Sequence, residues 1–433
     1  MDAVEAHEFI KKYDFEEVIV RKLSTITQQV KFSNNEIDIT NNWDETGFDI
    51  YVTKGRKIYN FDVKNEKDLE KSVINAEKAL RLLEDNPDYF KINSEKYQYR
   101  SRSNRIIKIS NFDISQFTKD FLDDNIKFAK RIGGTIYKKS MELEVVTNYN
   151  NFKDLNKSIE FNVRAFNEND IPTQQSFATS HDDDLENIYK VGEELRDHLR
   201  MLGKTVQGSE GTYHAVLHPL FFASIVSYTL PMASAYQVDS GISFFAGRLN
   251  QKIGSSLFTL YDDATDDSMF GSRIADDEGV PTKKTPVIEK GFVKNYLHNT
   301  STAIKFNSES TGNAGIISPT PWQVSVEPGT EDPKEMIESI RDGLYIVNTW
   351  YTRFQDYREG IFSTIPRDGI YRIKNGEVIE SWTGMRVSDS LINIFKGIEG
   401  VSRETKKVKW WDETMYSKVP YVYVSKLNIT KSK

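Results

Sequence analysis

An α+β fold divided over two domains follows from three observations. The chain has 433 residues, more than a single hydrophobic core ordinarily organises. Its first half switches between an apolar period of two and one of 3.6, the signatures of strand and helix. Three glycines then fall within nine residues, from Gly203 to Gly211, and break both patterns as a linker does. The expected division is an N-terminal mixed α/β domain with antiparallel strands over 1–203, a linker over 204–211 and a strand-rich C-terminal domain over 212–433.

In the first domain, 17–20, 25–32, 48–53 and 56–61 carry the β-branched and aromatic residues of strands, with Lys54-Gly55 as a tight turn. Leu69, Val73, Ala76, Leu80 and Leu83 recur at helical spacing between Asn65, an N-cap, and Pro87. A second helix is expected through Phe117, Phe121, Phe128 and Ile132, stopping at Gly133. Strands 142–147 and 158–165 follow, and a third helix through Leu185, Ile188, Leu195, Leu199 and Leu202 stops at Gly203. Short strands predominate beyond the linker. One helix there is capped by Asp332, with Pro333 at N1 and Glu335 at N3, and runs through Met336, Ile337 and Ile340 to Leu344. Another starts at Ser388 and carries Leu391, Ile392 and Phe395. An alternating strand over 421–427 closes the chain.

Composition removes several functions. Hydrophobic residues make up 38% and aromatics 12%, the profile of an ordinary globular protein. Net charge is -7, and the densest basic cluster, Arg100, Arg102, Arg105 and Lys108, is too short to follow a phosphate backbone. Direct nucleic-acid binding is therefore disfavoured. The absence of cysteine excludes disulfides, thiolate zinc ligands and a cysteine nucleophile. No signal-peptide core and no run of about 18 apolar residues occurs, so a cytoplasmic protein is expected. Neither a G-x-S-x-G elbow nor a glycine-rich phosphate loop is present.

The densest chemistry lies between Asp262 and Pro281, where seven acidic residues fall among small turn formers. Oxygen ligands of this kind suit Mg²⁺ or Ca²⁺, but the spacing fits no calcium loop. The expectation is a set of turns with carboxylates in water. The order Asp266-Asp267, Gly271-Ser272, Asp276-Asp277-Glu278-Gly279 and Pro281 resembles the central signature of the TldD/PmbA family, whose members are often labelled modulators of DNA gyrase. Asn35-Glu36-Ile37 and 47–52 are similar to that family's first hairpin, and Thr311-Gly312-Asn313-Ala314 to its T-G-N segment. Glu327-Pro328-Gly329, a helix leading to Gly343-Leu344-Tyr345, and 373–378 are similar to its C-terminal half.

That resemblance implies a C-terminal domain tending toward a barrel or sandwich. It also implies a helix just after the linker which, in the TldD branch, carries H-E-x-x-x-H and binds zinc together with a C-terminal cysteine. Imidazoles and a thiolate hold the metal there, and the glutamate activates its water. Here the corresponding residues are His218-Pro219-Leu220-Phe221-Phe222-Ala223. Proline stands for the base at Pro219, alanine for the second ligand at Ala223, and no cysteine exists. No catalytic residue, metal or cofactor is therefore expected in this chain. His214 and His218 stand four apart, but Thr212, Tyr213 and Val216 favour a strand and Pro219 a helix start. A strand sets the two imidazoles about 13 Å apart, too far to share an ion. His218 is expected as an N-cap or a junction residue.

His7 and His198 are placed on amphipathic helices, His181 at an acidic helix start and His298 in a strand. Thr311, Gly312 and Asn313 are the candidate substrate-binding residues, Asn313 hydrogen-bonding a bound chain near the cleft that the resemblance implies; a simple conformational turn is the competing reading. Trp350-Tyr351 and Trp410-Trp411 are candidates for a partner surface or for core packing.

Taken together, the resemblance implies a PmbA/TldE-like, non-catalytic subunit of a TldD-type zinc metallopeptidase that degrades unfolded peptides. Zinc is expected in the TldD-like partner of a heterodimer, and this subunit shapes the substrate chamber. The alternative is a stand-alone peptide-binding or scaffold homodimer without peptidase activity. An autonomous hydrolase using the Asp262 to Glu278 cluster ranks third, and a direct gyrase or DNA modulator last.

Overall fold

The alternating first half folds into one antiparallel sheet. In the computed structural model, which describes residues 1–102 and 106–432, helix α1 (Ala3–Ile10) leads into strands β1 (Glu17–Ser33), β2 (Glu36–Lys54) and β3 (Lys57–Val63). Helices α2 (Leu69–Leu82), α3 (Ile107–Asn111) and α4 (Ile114–Asn125) come next. Strands β4 (Arg131–Val146), β5 (Asn151–Phe166) and β6 (Pro172–Thr179) and helix α5 (Lys190–Met201) complete this half. The strands lie in the order β3-β2-β1-β4-β5-β6, every pair antiparallel.

Successive side chains of a strand face opposite ways. Even-numbered residues of β1 therefore share a face, and helices cover both ends of it. Val18 and Val20 pack with Ile10, Val73 and Leu80 of α1 and α2. Val30 and Phe32 pack with Phe117, Phe121 and Leu195 of α4 and α5. The odd-numbered face turns toward the C-terminal half, where Ile19, Tyr51, Leu143, Val145 and Phe152 bury Ile274 and Ala275.

The second half forms a mixed sheet of 14 strands. It opens with β7 (Thr205–Gln207) and β8 (Gly211–Leu217), then helices α6 (Pro219–Thr229) and α7 (Ala235–Asp239). Strands β9 (Leu260–Asp263), β10 (Lys284–Glu289) and β11 (Phe292–Val293) precede helix α8 (Thr300–Lys305). Strand β12 (Val324–Val326) and helix α9 (Pro333–Glu338) lead to β13 (Asp342–Ile346), β14 (Arg353–Asp356), β15 (Ile361–Thr364), β16 (Ile370–Lys374), β17 (Glu377–Thr383) and β18 (Met385–Ser390). Helix α10 (Leu391–Lys396) and the long strands β19 (Ile398–Val408) and β20 (Ser417–Lys431) end the chain. The α+β class holds, with an antiparallel sheet first and a large mixed sheet after it.

Helix α6 sits at the centre of the second core. Leu220, Phe221, Phe222 and Val226 are fully buried together with Leu217, Val422 and Val424 of the flanking strands. A helix apolar all round is a buried helix, and this one is enclosed by strands β12, β19 and β20.

Several elements differ from expectation for local reasons. β1 continues through 21–24, because those residues pair on both sides, with β2 and with β4. The helix placed through Phe128 and Ile132 gives out after α4 in a 3-10 turn, Ile126–Phe128, and Ile132, Gly133 and Gly134 belong to β4. A Cβ on Gly134 would lie 2.2 Å from the Asn162 carbonyl oxygen, so this glycine serves sheet packing. The stretch read as a linker contains β7, paired in parallel with β17. Helix α9 ends early because Gly343, Leu344 and Tyr345 are taken by β13, between β8 and β16. Ser390 rather than Ser388 caps α10, and Ser388 pairs with Ser363 inside the sheet. His298 precedes the cap of α8 and lies outside the strands. Arg105 lies outside the described residues. No helix among the described residues is long and apolar enough to cross a membrane.

Candidate functional site

The junction of β8 and α6 separates the two histidines that stand four apart. His214 is exposed on β8, where its Nδ1 lies 2.8 Å from the Tyr423 hydroxyl. His218 is buried and caps α6: its Nδ1 accepts from the Leu220 amide at 3.1 Å, and Pro219 takes the first helical position. Proline suits that position because its missing N–H would have no helical partner. The His218 ring packs edge-on against Tyr421 at 5.1 Å and His198 at 5.5 Å. Burial holds His198 down to about 3 and pushes His218 well below the usual histidine range, so both rings are neutral at physiological pH. His218 Nε2 is buried without a partner among the described residues.

One helical step beyond Ala223, the Ser224 hydroxyl receives the indole N–H of Trp410 at 3.2 Å. Thr414 donates to the Ser227 carbonyl at 2.8 Å, so residues 410–414 are tied to α6. The two aromatic doublets thus have divided fates. Trp410 is core, at 2% exposure, whereas Trp411 and Tyr351 are 53% and 44% exposed and meet edge to face at 5.4 Å. Trp350 joins the same cluster, half-buried under Arg164 and Arg367.

The acidic segment overturns the picture of solvated carboxylates. Asp262, Asp276, Asp277 and Glu278 are buried, the exposed share of each being 5% or less. Asp262 accepts from the Trp322 and Gln323 amides at 2.9 and 3.0 Å and from the Asn313 side chain. Asp276 closes its own turn, accepting from the Glu278 and Val280 amides, and also receives the Ala314 amide at 2.9 Å. Asp277 holds Arg273 on one oxygen at 2.7 Å and Arg21 of β1 on the other at 2.8 Å. Glu278 accepts from the Thr300 amide at 3.2 Å. Burial pushes Asp262 up to about 6, and Asp276 and Glu278 up to about 7 and 8 against their hydrogen bonds.

The short basic cluster belongs here as well. Arg100 grips Asp267 through both nitrogens, and Arg102 bridges Asp154 of β5 to Asp267. Tyr99 donates to the Gly279 carbonyl at 2.8 Å. Gly279 and Gly312 have φ of +81° and +73°, backbone that side-chain-bearing residues resist. Acidic and T-G-N segments therefore form one polar hub that clasps the two sheets together. The candidate substrate residues point into it. Thr311 exchanges hydrogen bonds with His298, and Asn313 donates inward to Asp262 and to the Thr320 carbonyl. Arg21, Arg273, Trp322 and Tyr99 were not singled out from sequence; Arg273 alone carried a signal, four residues before Asp277 in the signature.

The comparisons with known proteins agree with this anatomy. Residues 210–431 match the family model for the PmbA/TldA metallopeptidase C-terminal domain. The chain belongs to this family. Among relatives, a metalloprotease of Methanocaldococcus jannaschii is 28% identical over 225 residues, 51% of this chain and 49% of that protein. A metalloprotease of Archaeoglobus fulgidus is 31% identical over 176 residues, 39% of this chain and 40% of that protein. The matched region thus spans about half the length of these relatives at most. The fold is similar to that of TldE from Thermococcus kodakarensis, with a TM-score of 0.86 at 19% identity over 99% of this chain and 100% of that one. A Thermotoga maritima protein named a modulator of a DNA gyrase gives 0.83 at 19% identity, over 99% of each chain.

A zinc ion, which the metallopeptidase description raises, does not fit the residues at the start of α6. His218 spends one ring nitrogen on the helix cap and turns the ring among aromatic side chains. Pro219 and Ala223 offer no donor atom, and the tryptophan above Ser224 is not a ligand. No group of three or more His, Asp or Glu among the described residues could hold a metal.

Proposed function

We propose that this chain is the PmbA/TldE-like, non-catalytic subunit of a zinc metallopeptidase acting on unfolded peptides. The start of α6, where the resemblance puts the zinc motif of the TldD branch, supports the reading: His218 caps the helix, Pro219 and Ala223 bring no donors, and Trp410 is seated on Ser224. Hydrolysis then depends on a TldD-like partner that supplies the zinc, and this subunit completes the chamber. The proposed boundary between the domains follows residue 203, with β7 of the 204–211 stretch already paired into the C-terminal sheet. In this reading Thr311, Gly312 and Asn313 act on the substrate indirectly, by fixing the chamber wall. A cytoplasmic location accompanies the proposal.

Co-expression with a TldD-type homologue from the same source tests it. A tagged chain should retain that homologue through size exclusion as a stable heterodimer. If the chain elutes as a homodimer and retains no homologue, the scaffold alternative takes its place.

A further inference from the structure

Between the two sheets lies a guanidinium that its surroundings only partly satisfy. A groove of about 470 Å³ opens between Met141 of β4 and the C-terminal half, walled by Phe270, Trp322, Met415 and Tyr416, with Arg273 in its lining. The Arg273 side chain is 8% exposed. Its Nη2 donates to Asp277, and its Nε is buried with no hydrogen-bond partner among the described residues. Leaving a buried donor unpaired is unfavourable, the more so when the group is charged.

The guanidinium is also held rigidly. The Trp322 ring stacks on it, 4.1 Å from ring centre to guanidinium carbon. That ring is fixed in turn by its own N–H to the Gly312 carbonyl at 2.8 Å. Gly271 permits the close approach, since a Cβ there would lie 2.5 Å from the Trp322 carbonyl oxygen. Asp277 stays paired through its second oxygen, on Arg21.

We propose that this groove receives the C-terminal residue of a peptide, its carboxylate on Arg273 and its apolar side chain among Met141, Phe270, Met415 and Tyr416. The inference rests on the peptide-handling reading above and adds to it the end of the chain that is recognised. A planar guanidinium matches a carboxylate in geometry and charge. The apolar walls select the source of that carboxylate. An apolar C-terminal residue carries the carboxylate and a hydrophobic side chain on one Cα, whereas an aspartate or glutamate side chain brings only the charge.

The test is fluorescence anisotropy on the full-length chain, alone and with its TldD-type partner. The probes are a fluorescein-labelled Gly/Ser hexapeptide ending in Phe, the same peptide as a C-terminal amide, and an amide carrying one internal Glu. The free acid should bind at least about ten-fold more tightly than either amide. Arg273→Gln should erase that preference while peptide binding persists. Met141→Trp, which leaves the Arg273–Asp277 pair intact, should weaken the free acid by narrowing the groove; thermal melts confirm that each variant is folded. Equal binding of acid and amide would overturn the inference and leave peptide handling standing. Equal binding of the free acid and the internal-Glu amide would overturn the choice of the terminus. If no probe binds in either setting, the peptide-handling reading falls along with the inference.

Discussion

Asp276 and Glu278 are carboxyls at which burial outweighs every hydrogen bond they accept. Their values of about 7 and 8 in the fold stand above the ordinary 3.8 and 4.5. A raised carboxyl pKa means that the folded chain keeps a proton the unfolded chain releases, so stability falls as pH rises through the folded values. His198 and His218 act in the opposite sense, being held neutral in the fold, but their unfolded value of 6.5 confines that effect to lower pH. The melting temperature should therefore drop between about pH 6.5 and 8.5, and Glu278→Gln should flatten the drop. An unchanged slope in that variant would assign it to Asp276 or to Glu413, whose carboxyl burial also raises to about 8. Asn313 yields a second prediction at this scale. Asn313→Ala removes two inward hydrogen bonds and should cost about 2–3 kcal/mol in urea denaturation. Loss of peptide binding at unchanged stability would instead place Asn313 on the substrate.

Elements were legible where one pattern decided them. The β8–α6 junction was readable because Thr212, Tyr213 and Val216 argue for a strand and Pro219 for the first turn of a helix, and His218 caps that helix as expected. Misreadings came where a residue has two uses. Gly133 after an apolar stripe reads as a helix stop, yet Gly134 is small because β5 and Phe32 crowd it, a long-range fact absent from local pattern. Leu344 continues a helical spacing by accident, and pairing with β8 and β16 overrides it. The acidic segment was misread for the same reason. Turn-forming composition is local, whereas its partners Arg21, Arg100 and Arg102 lie more than 150 residues away in sequence. Gly134→Ala tests that crowding. Overpacking against Asn162 and Phe32 predicts a loss of about 1–3 kcal/mol in urea denaturation, and unchanged stability would contradict the close packing.

At the scale of the molecule, charge joins the two sheets. Arg102 alone reaches Asp154 of β5 and both Asp267 and Ser272 of the C-terminal half. Asp154 is fully buried, so Arg102→Ala strands an uncompensated carboxylate and should cost about 3–5 kcal/mol, with earlier cleavage in limited proteolysis. The proposed subunit role asks for a fixed chamber wall of this kind, with the chemistry supplied by the proposed partner. The most direct test of that claim is peptide hydrolysis together with zinc content, measured on this chain alone, on a TldD-type homologue from the same source, and on the purified pair. The isolated chain should have neither zinc nor activity, and the pair should have both. Zinc-dependent hydrolysis by the isolated chain would contradict it.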